Sequence, residues 1–502
     1  MHRNPSEVTP SWPAARSRQY AKDLTKLEIS PTKQLVIHGA VVSVPTILLL
    51  LGTAPWWTLG VGGSLITLTY LTFGRIESQR QDFWLTPLSF FFFWYSVGYG
   101  LSAIYAASEA YSTGYLTLVG HTIEGQDLAE GYVLSLIGAV SLHAGYSWLK
   151  SFQYIAPEIH TKQRSDLRIW GLAFLVGITM MLRPDPFAGI GVARAILKLS
   201  PFGVLVSYLS FPRQFFRMSA GLYFFYGALG SLILIASAFY EGSKFVSMLS
   251  FLPLLSAFLV RPRWRRLLPV LLIFGSLIYL FVVSPVLMGV RDIKNVDSQW
   301  EKLKIAADES LSSAQEDVLF TFQYQSQRFL YRQFESTAVG FIVGEVRQHG
   351  LQYGATMQNL GYAFIPRVLW KEKPIVTRGT WFTAYLGGSG SEEESKTSTG
   401  MYSAGELYWN FGVAGVIVGM LLMGMMLGFL FSAVGDGPHK LVVPMILFIN
   451  ILAHIVDQAA ATEVIILLVY LVLATVAYRY VLTITKIKNK PGALRFRPAM
   501  RR

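Results

Sequence analysis

Apolar residues run along this chain in long, nearly unbroken stretches. The short alternations and one-sided stripes of soluble elements are rare. Such stretches lie near 34–52, 55–73, 84–107, 128–148, 167–182, 194–211, 218–239, 244–260, 267–289, 404–433, 441–457 and 464–482. Each approaches or exceeds the roughly 20 residues that a helix needs to cross a bilayer core. The pattern predicts an all-α polytopic membrane protein with about twelve transmembrane helices. The sixth is the least regular, because Arg194 and Lys198 interrupt its start.

One long interval breaks the series, residues 290–403, after the ninth stretch. Its first half, DVLFTFQYQSQRFLYRQFESTAVGFIVGEVRQ, has helical periodicity: Phe322, Phe329, Leu330, Phe334 and Phe341 recur at spacings of four, seven and eight. Its second half is rich in Gly and Pro. The tract GGSGSEEESKTSTG (387–400) has nothing to build a core from and reads either as a mobile flap or as a disordered connection. The expected organisation is a polar tail (1–33), a bundle of nine helices (34–289), the large loop (290–403), three further helices (404–482) and a second tail (483–502).

Composition agrees. Of 502 residues, 52% are hydrophobic and 15% charged, the latter well under the ~25% of soluble domains. The net charge of +13 would suit a nucleic-acid partner, but its placement excludes one. The cations sit in the tails and in alternate connections: Arg3, Arg16, Arg18, Lys22, Lys26 and Lys33 before the first stretch, and an acid-free basic run from Lys486 to Arg502 after the last. Retained cations mark the cytoplasmic side, so both termini are expected there and residues 290–403 on the opposite face. The basic tails also suit anionic lipid headgroups. The first apolar run follows a polar tail without a small-residue cleavage pattern, so it reads as a retained helix. Cysteine is absent, which excludes disulfides and thiolate metal sites. No DxD or other metal-ligand spacing occurs, and no metal or cofactor is expected.

Ionisable residues within membrane helices are costly and mark functional sites by default. Here they gather near one level, the outer ends of the helices: Arg183 and Asp185 in MLRPDP, Arg194 and Lys198, Arg291, Glu406, the pair His454 and Asp457 three residues apart, and Glu463. Each has a bland explanation. Arginines snorkel to headgroups, His454 and Asp457 form a polar pair between helices, and Glu406 and Glu463 complement helix dipoles. As a group, cations and acids from non-adjacent helices at one depth point to an anionic lipid ligand. A guanidinium fork fits phosphate oxygens, and a polyprenyl pyrophosphate puts its tail in the bilayer and its anion at that interface.

Two segments carry a family resemblance. IPRVLWKEKP (365–374), with Arg367, Trp370, Lys371 and Lys373, is followed about thirty residues later by GELYWNFGVAGVIVGMLLMGMMLG (405–428). Together they resemble the Wzy-type O-antigen polymerases, or oligosaccharide repeat unit polymerases, in which an IPR-x-x-W-x-x-KP segment lies late in a large periplasmic loop and GE-x-Y-x-NFG opens the next helix. SQRFLYRQFE (326–335) and HGLQYGATMQNLG (349–361) look like the same loop. The resemblance implies a GT-C-like bundle in a bacterial inner membrane. It also implies a metal-independent glycosyltransferase that moves a glycan from undecaprenyl pyrophosphate onto a lipid-linked repeat unit at the periplasmic face. A flippase upstream and a chain-length regulator would be partners. By motif, Arg367 would hold the anionic substrate, with Arg328 and Arg332 beside it, joined by Arg183, Arg291, Arg194, Lys371 and Lys373. Trp370 would stack on a sugar or anchor the loop. Glu406 would be the base, with His454 second and Asp457 orienting it. The competing expectations are an O-antigen ligase, whose acceptor is lipid A core, and a transporter or flippase of lipid-linked oligosaccharide. A metal-dependent oligosaccharyltransferase would need an acid in the first outer connection, and Gly52–Pro55 has none.

Overall fold

The computed structural model describes residues 29–80, 87–151, 283–293, 298–316, 318–362, 378–391 and 399–433, with isolated positions between them. The expected spans 167–182, 194–211, 244–260, 441–457 and 464–482 lie outside the described residues, as does nearly all of 218–239 and much of 267–289.

Helix α1 (Pro31–Leu50) starts where Ser30 Oγ accepts the Lys33 N–H at 3.2 Å and Pro31 takes the first helical position, which needs no donor. Helix α2 (Pro55–Arg80) returns beside it. Helix α3 (Pro87–Tyr95) passes through a π-helical turn (Ser96–Leu101) into α4 (Ser102–Thr113). Strands β1 (Tyr115–Leu118) and β2 (His121–Glu124) pair antiparallel, Leu118 opposite His121. The turn residues Val119 and Gly120 both have positive φ, 50° and 88°, as a two-residue hairpin turn requires. Helix α5 (Gly125–Ser151) then descends through the centre. The end of the bundle carrying β1–β2 is called here the hairpin end, and the opposite end, where α1 begins, the tail end.

This β-hairpin corrects the all-α expectation. The fold is mostly helical, with a two-stranded ribbon in a connection whose eight strand residues are too few to leave a readable apolar signal. Among the described residues three helical stretches are, by length and composition, apolar enough to cross a membrane: Pro31–Leu50, Gly125–Trp148 and Ser403–Gly428, the last of them broken at Gly412. Trp57 and Tyr111 are exposed near the hairpin end, with Trp56 edge-on to Tyr111 at 5.4 Å, the placement of an interfacial aromatic belt.

The periodic stretch after residue 290 is helical, as its spacing predicts, and broken into pieces. Helix α6 (Ser284–Asp292) lies against α7 (Gln299–Glu316), and α8 (Val318–Gln333) leads to α9 (Ser336–His349). Phe334 and Glu335 separate the last two. Helix α9 runs antiparallel to α5: Ser336 Oγ donates to Ser135 Oγ at 3.2 Å, Gly340 faces Gly131, and Arg347 pairs with Asp127 and Glu130. It therefore starts inside the bundle and climbs to the hairpin end. A Cβ added at Gly131 would stand 2.4 Å from the Gly340 backbone nitrogen, so the two helices touch backbone to backbone. Small residues permit such contact where lipid supplies no hydrophobic drive. Phe334, Val339 and Val343 join Leu128, Tyr132 and Leu136 in the core.

A 3-10 turn (Ala355–Met357) and helices α10 (Asn359–Tyr362) and α11 (Arg378–Tyr385) precede α12 (Ser403–Ala433). The straight span read at 404–433 is broken. Gly412 has φ 66° and ψ −159°, a region essentially closed to other residues. Leu407 lies against Gly415 and Gly419, which in an unbroken helix would be about 12 and 18 Å further along. The chain thus folds into a helical hairpin. Its first arm climbs beside α9, where Gly405 meets Val339 and Ile342, and its second arm descends along α5, where Gly424 meets the Leu142 carbonyl.

Candidate functional site

The first arm of α12 carries the GELYWNFG segment, and the turn at Gly412 directs its residues toward the loop after α9. Two backbone bonds join them: Gln352 N–H to the Trp409 carbonyl (2.9 Å) and Tyr353 N–H to the Asn410 carbonyl (3.2 Å). Asn410, fully buried, completes the clamp. Its Oδ1 accepts the Gly354 N–H at 2.8 Å, while Nδ2 donates to Thr356 Oγ1 at 2.6 Å and to the Glu406 carbonyl at 2.7 Å. Thr356 Oγ1 donates in turn to Glu406 Oε1 at 3.0 Å. The carboxylate of Glu406 is wholly enclosed. Loop residue Tyr353 and Tyr402, which precedes the arm, hold positive φ of 49° and 57°, local strain that the clamp supports.

A second buried carboxylate, Glu335, lies at the α8–α9 junction, 3% exposed. Tyr99 of the π-helical turn donates to its Oε2 at 2.8 Å, and Tyr132 Oη donates to the Tyr99 carbonyl at 2.8 Å. A π turn inserts a residue into the helical ladder, leaves a carbonyl short of its usual donor, and occurs often at functional sites. Gly98, on the same turn, faces the Gln333 carbonyl and Glu335.

At the hairpin end the charges pair off. Arg347 bridges to Asp127 and to both oxygens of Glu130 at 3.0 Å. Partial burial works against its charge, but Asp127 and Glu130 more than offset this and hold the guanidinium above its ordinary pKa. Tyr385 donates to Glu345, and burial together with that carboxylate pushes the phenol up to about 12. Tyr385 also stacks on Trp381 at 5.5 Å and meets Trp409 edge-on at 5.3 Å, which ties α11 to the clamp.

Of the residues singled out in the sequence, Glu406 sits in the clamp. Trp370 is partly exposed, edge-on to Tyr362 at 5.9 Å, a loop contact that leaves part of its ring free. Arg291 falls in the last turn of α6. Arg328 and Arg332 fall one turn apart on α8, the helix that delivers Glu335. Arg183, Arg194, Arg367, Lys371, Lys373, His454 and Asp457 lie outside the described residues, and so does half of the tract 387–400, its acidic part 392–398. Sequence reasoning passed over Glu335, Tyr99, Thr356 and Asn410. Three of these stood within quoted segments: Asn410 in GELYWNFG, Thr356 in HGLQYGATMQNLG, and Glu335 at the end of SQRFLYRQFE, where a charged residue interrupts an apolar helical period. Among the described residues no group of three or more His, Asp or Glu side chains could hold a metal ion.

No curated protein and no solved structure matches this chain. One family matches residues 85–436, from just before α3 to the end of α12, and so takes in Glu335, Glu406 and the clamp. The chain belongs to that family, described as Domain of unknown function (DUF8712).

Proposed function

We propose that this protein is a membrane glycosyltransferase that lengthens a polysaccharide. It would pass a growing glycan from undecaprenyl pyrophosphate to a lipid-linked repeat unit on the non-cytoplasmic face of a bacterial inner membrane. One observation supports this above the rest: segments that carry the resemblance, far apart in the chain, meet in the fold. HGLQYGATMQNLG is clamped to GELYWNFG through Asn410, and Gly405 of the latter touches α9 one turn from Glu335, the last residue of SQRFLYRQFE. The clamped loop leads straight into IPRVLWKEKP, so the clamp fixes the root of the segment bearing Arg367.

In this reading the arginines neutralise the departing pyrophosphate, where removing one such donor typically costs ~10²–10³ in rate. Glu406, enclosed and engaged by Thr356, is a positioning residue for that loop. His454, oriented by Asp457, then takes the role of base toward the attacking hydroxyl, which must lie within hydrogen-bond reach.

The test compares glycan from cells lacking the gene with cells restored by the wild type or by Arg367→Ala. Loss of the gene should leave single repeat units on the lipid core, and Arg367→Ala should reproduce that with the protein still in the membrane. Absence of any unit on the core would replace the polymerase by a ligase. Absence of units outside the cell membrane would replace it by a transporter. Polymer of normal length and amount in the null strain would overturn the reading.

A further inference from the structure

Near the tail end, α1, α2 and α5 enclose a polar cluster that the site above does not use. His38 Nδ1 lies 3.1 Å from His143 Nδ1, and His38 Nε2 lies 2.7 Å from Tyr70 Oη. All three side chains have no solvent exposure. Phe92 of α3 packs edge-on against both imidazoles, at 6.3 and 5.2 Å. Among the described residues the other polar groups facing this interface are Gln34 on α1, Glu77 on α2 and Tyr146 on α5, all buried. Gln34 stands one helical turn from His38 on the same face, toward the tail end.

Proton bookkeeping constrains the pair. An Nδ1···Nδ1 bond holds one bridging hydrogen. The Tyr70 hydroxyl needs an acceptor, and His38 Nε2 is the one within reach. That makes His38 the Nδ1–H tautomer, donating to His143 Nδ1, so His143 carries its hydrogen on Nε2. Among the described residues His143 Nε2 meets no partner, and neither do Oε1 and Nε2 of Gln34. An unmet buried polar atom is unfavourable, and polar sites of this kind hold water bonded to about three groups.

We propose that His38 and His143 form a proton-binding site within the membrane bundle, filled through water beside Gln34 from the tail end. The site takes one proton and keeps its bridge. The added proton goes to His38 Nε2, and the bridging hydrogen shifts from His38 Nδ1 to His143 Nδ1. His143 becomes the imidazolium with hydrogens on both nitrogens, still donating to His38 Nδ1. His38 is left neutral with its hydrogen on Nε2, and Tyr70 turns from donor to acceptor. Three hydrogens on the trio become four: the His38 Nδ1–H bond breaks as the His143 Nδ1–H bond forms, the added proton makes the His38 Nε2–H bond, and both hydrogen bonds reverse direction. A second proton would set two N–H groups face to face and break the bridge. Ionisable chains inside membrane helices are the usual carriers of protons in pumps and transporters. This inference stands independently of the glycosyltransferase reading.

The experiment uses full-length protein with ¹⁵N-labelled histidine in lipid nanodiscs, with His38→Gln and His143→Gln to assign the two rings among the eight histidines. Above pH 8 a nitrogen–nitrogen coupling across the bridge should be seen. Between pH 8 and 3 one ring should become imidazolium with that coupling retained, exchanging with bulk water within seconds. Gln34→Leu should keep the coupling and slow the exchange at least tenfold. Ring nitrogens that stay unchanged over this range, or that exchange only over hours, would overturn the proposal. An unaltered exchange rate in Gln34→Leu would overturn the route from the tail end.

Discussion

The clamp at Asn410 makes a quantitative claim about how its members depend on one another. Asn410→Ala removes three hydrogen bonds, to Gly354, Thr356 and the Glu406 carbonyl. At roughly 0.5–1.5 kcal/mol net each, the loss is about 3 kcal/mol. Thr356→Val keeps the shape and removes two, the bond received from Asn410 and the one given to Glu406, for about 2 kcal/mol. One bond belongs to both sums, so the double variant should lose about 1 kcal/mol less than the two singles added together. Unfolding midpoints of purified protein in detergent, with denaturant added to a reversible transition, supply the cycle. A second readout localises the effect: cleavage by a protease after Arg347 or Lys371, flanking the clamped loop, should rise in each variant before global unfolding. Strict additivity within ~0.3 kcal/mol, or unchanged cleavage, would refute the idea that Asn410 and Thr356 hold this loop as one unit.

Two glycines offer contrasting tests. Gly131→Ala introduces a methyl group 2.4 Å from the Gly340 nitrogen; reaching ordinary contact of about 3.5 Å forces α9 away from α5 by about 1 Å, at ~1–3 kcal/mol. Its unfolding midpoint should fall while Gly39→Ala, with nothing within 4 Å, holds or rises, and equal midpoints would show that the helices do not touch as described. Gly412→Ala has open space but a φ of 66° and ψ of −159°, so it should cost ~1–3 kcal/mol through the backbone alone. Cysteines introduced at Leu407 and Gly419 in the otherwise cysteine-free chain should cross-link only if the arms fold back, and no cross-link with Gly412 intact would refute the hairpin.

What could be read in advance follows from the range over which each signal acts. The helices α1, α2, α3–α4 and α5 were legible because apolar length is a local property; their starts agree with the expected spans to within three residues, while α2 and α4 run six or seven residues further than expected. The break of α12 was not legible: six glycines dot residues 405–428, and nothing in the local pattern separates Gly412 from those that let helices approach. The gap between α8 and α9 had a local trace, the charge of Glu335 in an apolar period, but its meaning depends on Tyr99, 236 residues away. Glu406 drew attention as a charge opening a membrane helix, yet its enclosure arises from Thr356 and Asn410, whose polarity is unremarkable by itself. The histidine pair was invisible for the same reason. His38 and His143 each lie in an apolar run, 105 residues apart, and only the antiparallel course of α1 and α5 joins them.

That shared dependence on α5 gives the two polar levels of the bundle a mechanical relation. Ser135, beside the start of α9 and so beside Glu335, stands about 12 Å along α5 from His143. The opposing contacts of α5 allow little independent movement between them: Gly131 touches α9, Gly145 touches the Leu421 carbonyl of α12, and Tyr132 is bonded to the π-helical turn. A helix so gripped shifts as a rod or not at all. Charge arriving at His143 and any displacement of α9 therefore act on one element, and the buried carboxylate at the α8–α9 junction is the group best placed to register both. A π turn, with its ladder already interrupted, is where such a shift costs least, and Tyr99 sits on it holding Glu335.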